Sequence, residues 1–359
     1  MKKTKSNNKI TIGLICGGTS GEHEVSLISA YNIQTALDRD KYDVLLIGID
    51  KSGAWFLGKT PEFLENVDDV SQIKFSNNLP TLLPKTGSSG GQNKVKTEQS
   101  GNELAKVDVF FPITHGKLGE DGALQGLLEL LGKPYVGADV YGSAICMDKD
   151  VTKRLLLQRG VPVARYKLIR NTDELSYEDA VQELGETFFV KPCREGSSLG
   201  VSIVRTRNEY AQALKKAFAT DRKVMVEEAI FGREIECSVL GNDKPEAAEV
   251  LGEIVPLREF YSYEAKYVDE DGAELIIPAK IDPDVSQQIR ETAVEAFLLT
   301  ECRSMARVDF FLREDNTFIL NEINTLPGFT NISMYPKLWD ASGLAYPELL
   351  GRLIELALE

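Results

Sequence analysis

Residues 306–330 read ARVDFFLREDNTFILNEINTLPGFT: two short apolar strands around a polar turn, then a Pro-Gly loop. Asp309 lies in the first strand, and Glu322 and Asn324 lie in the second. Two positions apart on a strand, Glu322 and Asn324 share one face. A two-residue turn at Asp315-Asn316 sets Asp309 opposite Glu322, and facing carboxylates weaken a hairpin. A hard cation between them removes that penalty. An all-oxygen ligand set suits Mg²⁺, which keeps positions for substrate phosphates. Arg307 shares the strand face of Asp309 and aims a cation at the same place. The plain alternative is a solvated strand face carrying ordinary surface charge.

At 359 residues the chain exceeds the roughly 250–300 at which single cores stop growing, so two or three domains are expected. No run approaches the ~20 apolar residues of a membrane span. The start, MKKTKSNNK, is basic and polar, and the apolar run at 10–16 is too short for a signal sequence and ends in Gly-Gly. The expectation is a soluble, cytoplasmic protein with no membrane partner. The five cysteines, Cys16, Cys146, Cys193, Cys237 and Cys302, are scattered and form no C-x-x-C pair, which indicates neither zinc nor a disulfide framework. Four have apolar neighbours and read as core residues, as fits a reducing compartment. The net charge of −14 argues against a nucleic-acid binder. It leaves room for a small phosphate-bearing ligand held by local lysines and glycines.

The order of elements points to α/β architecture. An apolar strand at 10–16, the loop GGTSG, a helix at 22–37 and a strand at 42–50 open a parallel sheet. Residues 76–103, with GSSGGQ, read as a polar surface excursion. A strand at 107–112 leads into THGKLGEDG and a helix at 123–131. Three units follow: 1–139, 140–224 and 225–359. The second carries helices at 148–159 and 173–184, a strand at 163–169, and strands FFVKP and VSIV joined by a Gly/Ser loop. The third is strand-rich to 281, then holds a helix at 284–299, the hairpin and a C-terminal helix.

Several segments carry chemistry. In KPCREGSSLG, 191–200, the residues Gly196, Ser197, Ser198 and Gly200 leave backbone N–H groups able to wrap an anion. Lys191 stands at the entrance as a point charge for phosphate. No Walker A pattern is present, and alone the loop reads equally as a flexible hairpin. Glu227-Glu228 end the apolar strand VMV, and a short connection leads to Glu234. Acids and carbonyls at a strand end suit an adenine amino group and ribose hydroxyls, or serve as plain surface acids. GGTSGEHE, 17–24, misses the dinucleotide spacing. Glu22 and Glu24 would repel a pyrophosphate and suit a cationic amine, or complement a helix N-terminus. In HGKLGEDG, 115–122, His115 has the pKa range for proton work, although a lone histidine is more often structural. YSYEAKY, 261–267, reads as a loop able to fold over a site.

Taken in order, GGTSGEHEVSLISA, HGKLGEDG, VKPCREGSSLG, FYSYEAKY, ARVDFF and NEINTLPGFT resemble the D-alanine–D-alanine ligases of the ATP-grasp superfamily, over nearly the whole chain. The resemblance implies a three-domain ATP-grasp fold, mixed α/β, with an N-terminal parallel sheet. ATP is held between the central and C-terminal units, with D-alanine beside the N-terminal one. It implies Lys149, Lys191, Gly196, Ser198, Glu227, Ile230 and Glu234 for ATP, and Asp309, Glu322 and Asn324 for two Mg²⁺ or Mn²⁺. Glu22, in a set with Ser197 and Tyr267, takes the first ammonium. Ser333 and Lys266 meet the second carboxylate, with His115 and Met334 beside the substrates, and Arg307 and the Gly328 N–H serve the oxyanion. A homodimer and a product used for peptidoglycan are also implied. Lys266-Tyr267 favour an amine nucleophile over D-lactate. Cys193 departs from the small residue that relatives often carry there. A relative using D-serine or D-lactate, and a non-catalytic nucleotide binder, are the other readings.

Overall fold

The computed structural model describes residues 9–58, 63–67, 69–76, 79, 81–83, 103–256 and 273–359. Most of the polar excursion and the whole YSYEAKY segment, with Lys266 and Tyr267, lie outside these residues.

The N-terminal unit holds β1 (Ile10–Gly17), α1 (His23–Ala36), β2 (Tyr42–Ile49), β3 (Trp55–Gly58), β4 (Leu64–Glu65), β5 (Lys74–Phe75), β6 (Thr81–Leu83), β7 (Val109–Pro112) and α2 (Ala123–Leu130). Its main sheet runs β6-β3-β2-β1-β7, with β4 and β5 in a separate ribbon. β1 pairs parallel with both β2 and β7, whereas β3 and β6 turn antiparallel. Parallel central strands are covered on both faces, which is why ITIGLIC is apolar almost throughout.

The next unit contains α3 (Val140–Met147), α4 (Lys149–Gln158), β8 (Tyr166–Ile169), α5 (Tyr177–Leu184), β9 (Phe188–Pro192), β10 (Ser202–Val204), α6 (Arg207–Phe218) and β11 (Val224–Glu228). Its antiparallel sheet has the order β10-β9-β11-β8. β11 is paired within this sheet along its whole length, and the chain leaves it only at Ala229. α6 does not figure in the sequence reading. Its start is nevertheless written as a capping box, with Thr206 accepting from the Glu209 N–H and Glu209 reaching back to the Thr206 N–H.

The last unit comprises β12 (Arg233–Gly241), β13 (Glu246–Ala247), β14 (Gly252–Pro256), β15 (Ala273–Ile276), α7 (Pro283–Leu299), β16 (Ser304–Leu312), β17 (Phe318–Asn324), α8 (Met334–Ala341) and α9 (Tyr346–Leu358). The sheet runs β15-β14-β12-β16-β17, with β13 on the flank of β12. One face, with Ile235, Cys237, Val308 and Phe310, packs on Ile289, Ala293 and Phe297 of α7. At the end of the other face, Leu240 and Met305 join a core with Tyr335, Leu338 and Leu353 of α8 and α9, and with Leu14 and Phe111 of the N-terminal sheet. This shared apolar core fixes the first unit against the last; each fully buried Leu or Phe in it contributes about 1.5–3 kcal/mol. Among the described residues no helix is long and apolar enough to cross a membrane.

Asp309 does stand opposite Glu322, but the turn that sets this register differs from the expected one. The loop has three residues, Glu314 to Asn316, closed by Arg313 N–H donating to Thr317 O at 2.8 Å. Asn316 takes the left-handed conformation, φ 64°. That loop shifts the register by one, so Phe310 faces Leu320. A β-bulge at Asn321 then restores it, and Asp309 faces Glu322 while Arg307 faces Asn324. Bulges of this kind re-aim side chains next to active sites.

The left-handed turn yields a stability prediction. Asn316→Gly should leave stability near wild type, whereas Asn316→Val should lower it by about 1–2 kcal/mol in a denaturant titration. Equal stability of the two variants would contradict the assigned turn.

Candidate active site

A cavity of ≈ 450 Å³ opens between the four-stranded and six-stranded sheets. Its wall includes Lys149, Lys191, Gly196, Ser197, Ser198, Glu227, Ile230, Glu234 and Glu322, all singled out in the sequence. The apolar part comes from Phe189, Ile203 and Phe311, with Arg205, Phe231 and Asn321 also at the wall. Sequence reasoning does not single out these last six. Phe189 and Ile203 were legible as alternate residues of the strands flanking the glycine loop.

The loop after β9 is shaped by its serines. Ser197 and Ser198 are left-handed, at φ 49° and 59°, as is Gly200 at 78°. Left-handed non-glycine residues store strain and cluster at ligand clamps. Successive N–H groups in such turns form concavities suited to anions. Cys193, at the base of this loop, is fully buried, and burial pushes its thiol up to about 12. It is therefore a packing residue rather than a reactive thiol.

Behind the loop sits a buried charge cluster. Glu227 Oε2 lies 2.5 Å from Lys191 Nζ, and Glu227 Oε1 lies 2.7 Å from Lys153 Nζ. Burial alone would raise the Glu227 carboxyl. The two ammonium groups outweigh that and hold it below the ordinary range. Burial, helped by Lys191 and Lys149, pulls Lys153 down despite Glu227. Lys153 is absent from the sequence reading, although KDVTK puts it four residues after Lys149, on the same face of a helix. Lys149, at the first turn of α4, donates from Nζ to Glu195 O at 2.8 Å and lies 3.6 Å from Glu322 Oε2. It thus ties the glycine-serine loop to the hairpin.

On the six-stranded sheet, polar side chains form successive rows. Glu234 pairs across to Phe311, then Glu236 to Asp309 to Glu322, then Ser238 to Arg307 to Asn324. Arg307 grips Asp309 with two hydrogen bonds, Nε to Oδ1 and Nη2 to Oδ2, both 2.8 Å. Asn324 Nδ2 donates to Asp309 Oδ2 at 2.9 Å. Among the described residues no three His, Cys, Asp or Glu side chains converge as a ready metal cage. An all-oxygen set of Asp309, Glu322 and Asn324 fits Mg²⁺, which binds through one or two carboxylates together with substrate phosphates.

The N-terminal unit closes this end. Glu22 precedes α1 and makes no capping bond through its side chain. A Cβ added at Gly116 would lie 3.3 Å from Glu22 Oε2, and one at Gly196 would lie 3.5 Å from it. Glu22 therefore stands between the HGKLGEDG loop and the serine loop. Glu24 instead pairs with Lys51 at 2.6 Å on the surface. His115 is buried, and its Nδ1 lies 3.0 Å from Leu326 O. Because a carbonyl only accepts, Nδ1 carries the proton, and burial lowers the ring's pKa. Glu120, which sequence reasoning does not single out, accepts the Gly116 N–H at 2.5 Å. Burial first, and the charge of Glu22 second, push its carboxyl up to about 8. Ser333 lies beyond the hairpin and takes the Thr330 N–H at 2.9 Å. A Cβ on Gly328 would come within 2.7 Å of Ser333 Oγ, so a larger residue there would displace the Ser333 hydroxyl. The Met334 side chain is turned into the core, where it packs over Gly252, away from the cavity.

Glu120 sets a pH test. Its folded pKa is raised from 4.5 to about 8, so the folded state favours the protonated carboxyl. The associated stability is present below pH 4.5 and is lost as the pH rises toward 8. Glu120→Gln should therefore gain stability relative to wild type as the pH rises from 5 to 9, read from thermal melts. A difference independent of pH would contradict the raised pKa.

Comparison with known proteins adds to this geometry. Residues 11–138 match the family model described as D-ala D-ala ligase N-terminus, and residues 155–355 match D-ala D-ala ligase C-terminus. The chain is 50% identical over 353 residues to D-alanine–D-alanine ligase A of Escherichia coli K12, covering 98% of this chain and 96% of that protein. The solved D-alanine-D-alanine ligase of Coxiella burnetii superposes with a TM-score of 0.78 at 40% identity, over 98% of this chain and 95% of that one. The VanG D-Ala:D-Ser ligase of Enterococcus faecalis superposes with a TM-score of 0.79 at 33% identity, over 98% and 100%.

Proposed function

The chain belongs to the D-alanine–D-alanine ligase family, and on that premise we propose that it joins two D-alanine molecules at the expense of ATP, through a D-alanyl phosphate. The observation that carries this reading is the cavity itself. The glycine-serine loop, a lysine cluster and the carboxylate hairpin face one space, bridged by Lys149.

In this reading ATP fills the cavity. Lys149, Lys191, Gly196 and Ser198 meet its phosphates, and Glu227, Ile230 and Glu234 meet its base and ribose. Asp309, Glu322 and Asn324 hold two Mg²⁺ or Mn²⁺, which when bound neutralise phosphate charge. Glu22 takes the ammonium of the first D-alanine, with Ser197, Tyr267 and His115 around it. The carboxylate of that D-alanine attacks the γ-phosphorus and ADP leaves. The deprotonated amine of the second D-alanine, its carboxylate held by Ser333 and Lys266, attacks the acyl phosphate, and inorganic phosphate leaves as the peptide bond forms. Arg307 and the Gly328 N–H face the oxyanion, where preorganised donors lower the barrier most. Met334, beside Ser333 in the chain, contributes through its packing over Gly252. The reading includes a cytoplasmic location, a homodimer and delivery of the dipeptide to peptidoglycan.

The likeness to a D-Ala:D-Ser ligase favours D-serine as the second reading for the acceptor. Product mass, with D-alanine, D-serine and D-lactate competing at neutral pH, separates the two. D-alanyl-D-alanine as main product supports the first reading, and a mixed D-alanyl-D-serine product supports the second. Glu322→Ala should reduce D-alanine-dependent ADP release to background; near-normal turnover would sink the role given to the hairpin.

A further inference from the structure

Glu236 is the member of the carboxylate row that neither the motifs nor the proposed reaction uses. It sits in β12, a central strand, with 7% of its surface exposed. A buried carboxylate at such a position is costly unless paired. Its strand neighbours on the same face have clear tasks. Glu234 lines the cavity, and Ser238 donates to Tyr335 O at 3.2 Å to seat α8. Glu236 lies directly across from Asp309, and its Oε2 is 3.1 Å from Arg307 Nε. The guanidinium is thus held between two carboxylates on adjacent strands, with the Arg307 side chain only 19% exposed.

The two carboxylates carry different loads. Asp309 also takes the Asn324 amide, and in the proposed reaction it serves the nucleotide's cations. Any oxygen it gives to a cation loosens its grip on Arg307. Glu236 faces the same Nε from β12 at ion-pair distance, so its charge stays beside the guanidinium when Asp309 gives an oxygen to a cation. In a poorly hydrated setting an ion pair at this distance is screened far less than one at the surface.

We propose that Glu236 is a positioning residue whose charge, alongside Asp309, holds the Arg307 guanidinium at the acyl-transfer centre. The proposal rests on the role given to Arg307 in the proposed function. It predicts that the state of Glu236 governs turnover through Arg307, without altering nucleotide capture.

The test is a double-mutant cycle on the full chain. Glu236→Gln removes the charge that faces Nε and keeps the shape and polarity; Glu236→Leu removes the polarity as well at similar volume. The kcat and the KM for D-alanine are measured, together with ATP affinity by calorimetry without D-alanine and thermal melts. Glu236→Leu should lower kcat about 10- to 100-fold, as loss of an orienting partner does. ATP affinity should stay within about twofold, and Glu236→Gln should lower kcat in the same direction, because it removes the charge that faces Arg307. In an Arg307→Lys background either substitution should cost little more, because the residue it positions is already gone. If Glu236→Leu does not fold, the Glu236→Gln and Arg307→Lys cycle decides alone: non-additive losses support the proposal. Wild-type kcat in Glu236→Leu, losses that multiply independently of Arg307, or parallel falls in melting temperature and ATP affinity would overturn it. Wild-type protein with no D-alanine-dependent ADP release would instead overturn the function reading, and this proposal with it.

Discussion

Glu236, Asp309 and Glu322 stand abreast on three neighbouring strands, and like charges directly opposite one another destabilise a sheet. Cations answer the repulsion. Arg307 lies between the first two, and Lys149 approaches the third from α4. The second of these cations belongs to another unit of the chain, so the acidic row also brings the sheets together around the cavity. Such an arrangement is poor as a source of stability, since desolvation offsets most of the Coulomb attraction. Its value is placement: the cations face a space that an anionic ligand can enter.

The same logic governs the other wall. Glu227 is buried between Lys153 and Lys191. The acid stands between two lysines in a poorly hydrated place, and one of them, Lys191, reaches the cavity wall. The strained serines of the neighbouring loop hold their N–H groups in a geometry an unconstrained chain would leave. The shared apolar core fixes the first unit against the last, and Glu22 of the first unit stands beside the serine loop of the middle one. Packing thus sets the frame, and buried charge sets what the frame attracts.

Much of this was legible in the chain, for identifiable reasons. Several helix starts carry caps, and central strands carry apolar runs. The pairing of Asp309 with Glu322 was reached through a two-residue turn that does not form. The three-residue loop and the bulge at Asn321 shift the register in opposite directions and cancel at the site. Hydrophobic alternation cannot reveal a bulge, because its signal is an unpaired backbone position. Lys153 and Glu236 escaped because each matters through a partner distant in sequence. Cys193 read as a thiol near the phosphate loop, but burial, which no local pattern records, makes it inert. Glu22 and Glu24 look alike in sequence; only the fold separates the one facing the serine loop from the one paired to Lys51.

The central claim is that the hairpin carboxylates hold divalent cations together with nucleotide phosphates rather than in a cage of their own. Electron paramagnetic resonance of Mn²⁺, titrated into the full-length protein with and without a non-hydrolysable ATP analogue, addresses it most directly. The account predicts weak binding without the nucleotide and two tightly held ions with it, both lost in Asp309→Asn/Glu322→Gln. Tight Mn²⁺ binding without the nucleotide, or saturation with the analogue and no bound Mn²⁺ beyond what free nucleotide holds, would contradict it.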